Sequence, residues 1–104
     1  MNDTLQMTML FDFYGDLLTE KQREYFDLYH NEDFSLSEIA EKTGISRSGV
    51  YDILTRAEKS LIDVEEKTGI IKKWLETRAV LEANYQNIND LHPSIINYFQ
   101  MENN

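Results

Sequence analysis

Residues 35–54 read SLSEIAEKTGISRSGVYDIL, and the fold follows from how this stretch is read. Its apolar residues Ile39, Ala40, Ile45, Val50, Ile53 and Leu54 recur where two short helices meeting across a turn face a shared core. Ala40 is small where the two helices cross closely. Ser35 with Glu38 three residues on is a capping box for the first helix. Gly44 follows Lys42-Thr43, where a left-handed residue ends a helix without steric cost. Ser46 is placed to cap the second helix, whose exposed N-terminal half would enter a major groove. The stretch therefore reads as a helix-turn-helix.

Length and composition set the frame around it. A chain of 104 residues, 41% hydrophobic and 12% aromatic, can bury roughly 65% of its unfolded surface in one domain. One domain over residues 1–104 is expected, with the helix-turn-helix at 35–60 and a C-terminal helical extension at 61–100. One proline and four glycines leave little punctuation, which favours helices with short connections. The absence of cysteine excludes disulfides and thiolate chemistry and fits a reducing compartment. Asp3 and Asp12 near the start, without a basic region, do not make a signal peptide. No apolar run approaches a membrane span. The expectation is a soluble cytoplasmic all-α protein.

The net charge of −9 repels a polyanion unless positive charge is concentrated locally. Residues 1–34 hold eight acids against Lys21 and Arg23, residues 35–61 hold four of each sign, and residues 62–104 hold seven acids against four bases. The helix-turn-helix is the least acidic part of an acidic chain.

Working outward, Met7, Leu10, Phe11, Tyr14, Leu17 and Leu18 recur at three and four, predicting an amphipathic helix that Gly15-Asp16 interrupts or ends. Thr19 opens a second helix with Gln22 completing a capping box; Gln22, Tyr25, Phe26, Leu28 and Tyr29 form its inward face. Asn31-Glu32-Asp33 is a polar turn, and Phe34 precedes the Ser35 cap. From Arg47 nothing stops the helix before Gly69, and Val50, Ile53, Leu54, Ala57, Leu61 and Val64 hold the helical period. Ile70, Ile71, Trp74, Leu75, Arg78, Leu81 and Tyr85 make another amphipathic helix ending near Asn87. Pro93 suits the first turn of a short closing helix with Ile95, Ile96, Tyr98 and Phe99.

Leu18-Thr19-Glu20-Lys21-Gln22-Arg23-Glu24, followed by this helix-turn-helix, resembles region 4 of sigma-70-type transcription factors. The combination Leu10-Phe11-Asp12-Phe13-Tyr14, Leu17-Leu18-Thr19-Glu20-Lys21-Gln22, Ser35-Leu36-Ser37-Glu38-Ile39-Ala40 and Ser46-Arg47-Ser48-Gly49-Val50-Tyr51-Asp52 is similar to the YlxM family, over roughly residues 5–85. That resemblance implies a sigma-region-4-like helical fold and a regulatory role linked to the signal recognition particle pathway.

The residues point to two candidate surfaces. On the first, Ser46, Arg47, Ser48, Tyr51, Asp52 and Thr55 would face a groove, with Arg56 and Lys59 further along and Ser37 and Lys42 of the first helix against the backbone. Arg47 suits guanine O6 and N7, whereas Asp52 helps only as an acceptor from cytosine N4 and repels phosphate otherwise. With Arg47, Arg56 and Lys59 set against Asp52 and Glu58, the face sums to about +1. Strong affinity takes about six or more phosphate contacts, so a homodimer on duplex DNA is the expected reader. The second surface comprises Phe13, Trp74, Leu75, Leu81 and Tyr85, large apolar residues that serve either as core or as a dimer or partner interface. The competing expectation is a protein-interaction module that uses this surface, its partner a signal recognition particle component as the resemblance implies.

Catalysis finds no foothold. His30 and His92 stand alone without ligand-spaced partners, and Asp63, Glu65 and Glu66 read as a solvated face. No phosphate loop or nucleophile elbow is present. No metal, cofactor or small-molecule substrate is expected.

Overall fold

The computed structural model describes residues 4–84. Five α-helices run in order: α1 (Thr4–Tyr14), α2 (Glu20–Phe26), α3 (Leu36–Thr43), α4 (Arg47–Thr68) and α5 (Ile70–Asn84). A 3-10 turn (Gly15–Leu17) follows α1 and a π-helical turn (Asp27–Asn31) follows α2. The described residues contain no strand; the architecture is an all-α helix-turn-helix bundle. Tyr85, His92 and the helix expected around Pro93 lie outside the described residues.

The chain divides into two compact units, broken between Thr68 and Gly69. In the first, α1, α2 and α3 all pack on α4. A helix of 22 residues is about 33 Å long, enough to serve as the spine for three shorter helices. Its inward stripe is Val50, Leu54, Ala57, Glu58 and Leu61, spaced at three and four as one helix face requires. Met7, Leu10, Tyr14, Leu18, Tyr25, Phe26, Leu28 and Ile39 complete the core. Phe11 stacks on Phe26 at 4.8 Å with the rings 5° from parallel.

The local signals explain where the helices begin and end. Thr19 and Ser35 both form complete capping boxes, with Gln22 and Glu38 returning the bond. Gly44 closes α3 at φ 77° and Gly69 follows α4 at φ 61°, where any Cβ would be strained. Asp33, at φ 57°, is of a residue type that tolerates this region. Leu17, expected in the inward face, is 68% exposed. The 3-10 turn at Gly15 takes the chain off the helical period of α1, so the apolar spacing no longer reports one face.

In the second unit, Ile71 and Trp74 are the buried residues of α5, with Arg78 over the Trp74 ring at 5.6 Å. Arg78 also pairs with Glu82 at 2.8 Å, one turn on.

The Glu38 carboxylate accepts from the Ser35 backbone at 3.0 Å. That bond and its link to the Ser35 side chain hold the Glu38 pKa below its ordinary value. A carboxyl with a lowered folded-state pKa contributes stability above its unfolded value and loses it as pH falls through the folded one. Asp12 is shifted the other way, raised by partial burial, and opposes this trend. Glu38→Gln is therefore expected to melt below the wild type at neutral pH, with the gap closing on acidification past the ordinary carboxylate range. Thermal melts of both proteins across that range would check it; a gap constant with pH counts against the capping role.

Candidate nucleic-acid interface

The inward stripe of α4 fixes what its opposite side presents. With Val50, Leu54, Ala57, Glu58 and Leu61 buried, the positions around Ser48, Asp52, Thr55, Arg56 and Lys59 face outward, while Arg47 and Tyr51 fall seven residues before Leu54 and Glu58 and are exposed at the start of the helix. Arg47, Ser48, Tyr51, Asp52, Thr55, Arg56 and Lys59 are all exposed, Tyr51 by 51%. The side chains of Arg47, Tyr51, Asp52, Thr55, Arg56 and Lys59 make no hydrogen bond or ion pair with the described chain. Three cations thus stand uncommitted on the exposed surface of α4: Arg56 and Lys59 share its outer side, and Arg47, nine residues before Arg56, projects from the other side at the first turn.

Ser46 performs a local task. Its Oγ accepts from the Gly49 amide at 3.1 Å and lies 3.3 Å from Ser48 Oγ, closing the first turn of α4. On α3, Ser37 and Lys42 are exposed. The Lys42 ammonium sits 5.3 Å above the Phe34 ring, an arrangement worth about 0.5–1 kcal/mol at an exposed site. Reaching a phosphate would require Lys42 to leave that ring.

Gly49 carries the close approach at the turn. A Cβ there would lie 2.7 Å from Ile45 Cγ2 and 3.1 Å from Ser46 Oγ. Alanine normally favours a helix interior over glycine by about 1 kcal/mol, but Ile45 is β-branched and cannot swing its methyl clear cheaply. Gly49→Ala is expected to destabilise the protein by about 1–3 kcal/mol, the usual cost of overpacking. Urea denaturation reads this directly, and a stabilised variant would show that the turn is not tight.

Three side chains stand elsewhere than the sequence suggested. Glu58 does not belong to the outer face: it is 8% exposed, and its Oε2 lies 2.9 Å from His30 Nε2. From Arg47 to Lys59 the exposed surface of α4 therefore sets Arg47, Arg56 and Lys59 against Asp52 alone, more basic than the sequence sum allowed. His30 is correspondingly not isolated. Nor is Glu65 simply solvated, since it accepts from the buried Tyr14 hydroxyl at 2.6 Å, with Thr68 Oγ1 2.9 Å from the same oxygen. The clue was legible in part: Glu58 and Glu65 fall four residues after Leu54 and Leu61, inside the apolar stripe.

Of the second candidate surface, Phe13 is half-buried with its ring 6.3 Å from Tyr14. Trp74 is buried, Leu81 is half-buried and Leu75 is 40% exposed. The described residues contain no group of acids and histidines able to hold a metal ion. No described helix is long and apolar enough to cross a membrane.

Sequence comparison places this geometry among known proteins. The chain is 56% identical over 81 residues to a UPF0122 protein of Caldanaerobacter subterraneus subsp. tengcongensis, covering 78% of this chain and 69% of that one. It is 57% identical over 75 residues to a UPF0122 protein of Thermoanaerobacter sp., covering 72% and 64%. With a UPF0122 protein of Halalkalibacterium halodurans it shares 48% over 82 residues, covering 79% and 75%. The matched stretch spans about two thirds of the length of the first two relatives. The sequence model of UPF0122, the helix-turn-helix proteins that are YlxM / p13 like, matches residues 1–100. With capping, turn and spine all in place, the chain belongs to the YlxM / p13-like helix-turn-helix family.

Proposed function

We propose that this protein is a cytoplasmic regulator that reads duplex DNA as a homodimer. Arg47, Ser48, Tyr51, Asp52 and Thr55 face the groove, Arg56 and Lys59 face phosphate, and Ser37, Lys42 and Ser46 lie beside the backbone. The observation that carries this reading is the uncommitted state of six polar side chains on the exposed surface of α4. Surface cations that pair internally are poor ligands for phosphate; these do not pair. Dimerisation follows from number: Lys42, Arg56 and Lys59 give three phosphate contacts per chain, short of the six or so that support strong binding, and two chains supply them. Exposed Leu75 and Val80 on α5 offer apolar area for such a contact.

The acidic surface favours a second reading. Seven of the charged residues between Asp12 and Asp33 are acids, and only Lys21 and Arg23 oppose them. A basic protein or ribonucleoprotein partner, of the signal recognition particle pathway as the family resemblance implies, would be attracted to that edge.

Mass in solution, measured with and without duplex DNA at two salt concentrations, separates these readings. The DNA reading expects a dimer alone and two chains per duplex at low salt, with the complex dissolving at high salt. A monomer that never co-migrates with DNA would leave the helix-turn-helix as a scaffold for protein contacts.

A further inference from the structure

We propose that the buried His30–Glu58 pair is a positioning device for the recognition helix, fixing the rotation of α4 against the turn that leads into α3. Its functional side rests on the DNA-reading assignment above; its structural side does not.

His30 and Glu58 are 28 residues apart and both below one tenth exposed, with Nε2 and Oε2 at 2.9 Å. Glu58 stands within the buried stripe of α4, among Leu54, Ala57 and Leu61. From Val50 to Leu61 the other buried residues of that stripe are apolar, and their contacts tolerate a small rotation of the helix about its axis; the bonds of Tyr14 with Glu65 and Thr68 lie further on, at the C-terminal end of α4. A hydrogen bond does not tolerate such a rotation, because it weakens steeply with distance and angle. Of these directional contacts the pair is the one nearer the helix-turn-helix, and it selects one rotation of that end of α4 from several of similar burial.

The other end of the device is firmly held. His30 lies in the π-helical turn, where the Glu32 amide donates to Asp27 O at 3.0 Å and the Phe34 amide to Leu28 O at 2.9 Å. Asn31 Nδ2 donates to Asp27 Oδ1 at 2.8 Å across the same turn. The imidazole packs on Phe26, centroids 4.3 Å apart, with Tyr29 edge-on at 5.0 Å. Phe26 in turn stacks on Phe11. A column of rings thus runs from α1 through α2 to the wide turn and ends on the carboxylate of α4. Wide turns of this kind are rare and recur at functional sites.

Burial of such a pair is a poor source of stability, since apolar residues of similar volume commonly do as well or better. What it supplies is uniqueness of geometry. A rotation of about 20° carries a point on the outer cylinder of a helix, about 5–6 Å from its axis, by about 2 Å. That is enough to take Arg47 out of bonding range of a base edge while leaving the core packed.

The test replaces the pair with apolar residues. In the double variant His30→Phe, Glu58→Leu, urea stability is expected to match or exceed the wild type. Affinity for a random-sequence duplex pool and for the duplex upstream of this chain's own gene should fall about ten-fold. The amide resonances of residues 46–56 should broaden or double. Glu58→Gln, which keeps an acceptor for His30, should stay within about three-fold of wild-type affinity, whereas Glu58→Met should lose affinity as the double variant does and, with His30 left buried and unpaired, should also unfold at lower urea. A stable double variant with wild-type affinity and sharp resonances overturns the proposal. So does a double variant that fails to fold, because the pair would then be holding the core together. If the wild type binds neither duplex, the DNA reading fails, and the resonances of residues 46–56 alone decide whether the pair positions α4.

Discussion

Phe26→Ala is expected to lose about 3–5 kcal/mol of stability. Phe26 is fully buried, stacks on Phe11, and packs on His30. It therefore joins α1, α2 and the wide turn that precedes the helix-turn-helix. Removing its ring leaves a cavity and deletes two ring contacts, each of a kind worth about 0.5–1.5 kcal/mol beyond the area buried. Domains of this size hold about 5–15 kcal/mol in total, so the variant should stand near the edge of unfolding. Urea denaturation should show a much lower midpoint with an unchanged slope. Leu17→Ala, at a residue 68% exposed, should change stability by no more than about 0.5 kcal/mol. Equal losses at the two sites would mean that the core is drawn wrongly.

The second large effect concerns binding. Replacing Arg47, Arg56 and Lys59 together by alanine should lower affinity for duplex DNA at low salt by about a hundred-fold or more. Each phosphate contact contributes about 0.9 to the slope of log affinity against log salt. A dimer with Lys42, Arg56 and Lys59 of each chain on phosphate should show a slope near −5, and the triple variant, which keeps Lys42, a slope near −2. The fold should be untouched, because these side chains are exposed and have no partners in the described chain. Titration by fluorescence anisotropy at several salt concentrations, alongside a thermal melt, reads both halves. A triple variant that keeps the wild-type slope would place the phosphate contacts elsewhere on the molecule.

Much of the fold was legible because its signals are local. Thr19 with Gln22, Ser35 with Glu38, Gly44 and Gly69 each act through residues within one turn, and each stands where the spacing put it. The buried stripe of α4 follows from period alone. What spacing does not report is a partner across the fold. His30 has no sequence neighbour that hints at Glu58, and Tyr14 none that hints at Glu65 and Thr68. The two glutamates did announce themselves by interrupting an apolar stripe, and a charge on such a stripe calls for a buried partner. Leu17 failed for the opposite reason: its spacing fitted, but the 3-10 turn after α1 ended the helix to which that spacing applied. On the candidate surface, the sequence supplied the residue types of the outward face, while only the structure moved Glu58 out of it. That single move raises the net charge presented to a partner and changes the role of the residue from repelling DNA to holding the helix.

Reading of DNA by the exposed surface of α4 is the proposed activity of this protein. Its most direct test is the affinity of the intact chain for the duplex upstream of its own gene, compared with an unrelated duplex, across a series of salt concentrations. Tighter binding to the first duplex and a log–log salt slope near −5 for the dimer are expected. Binding that is undetectable at low salt, or that does not change with salt, would contradict it.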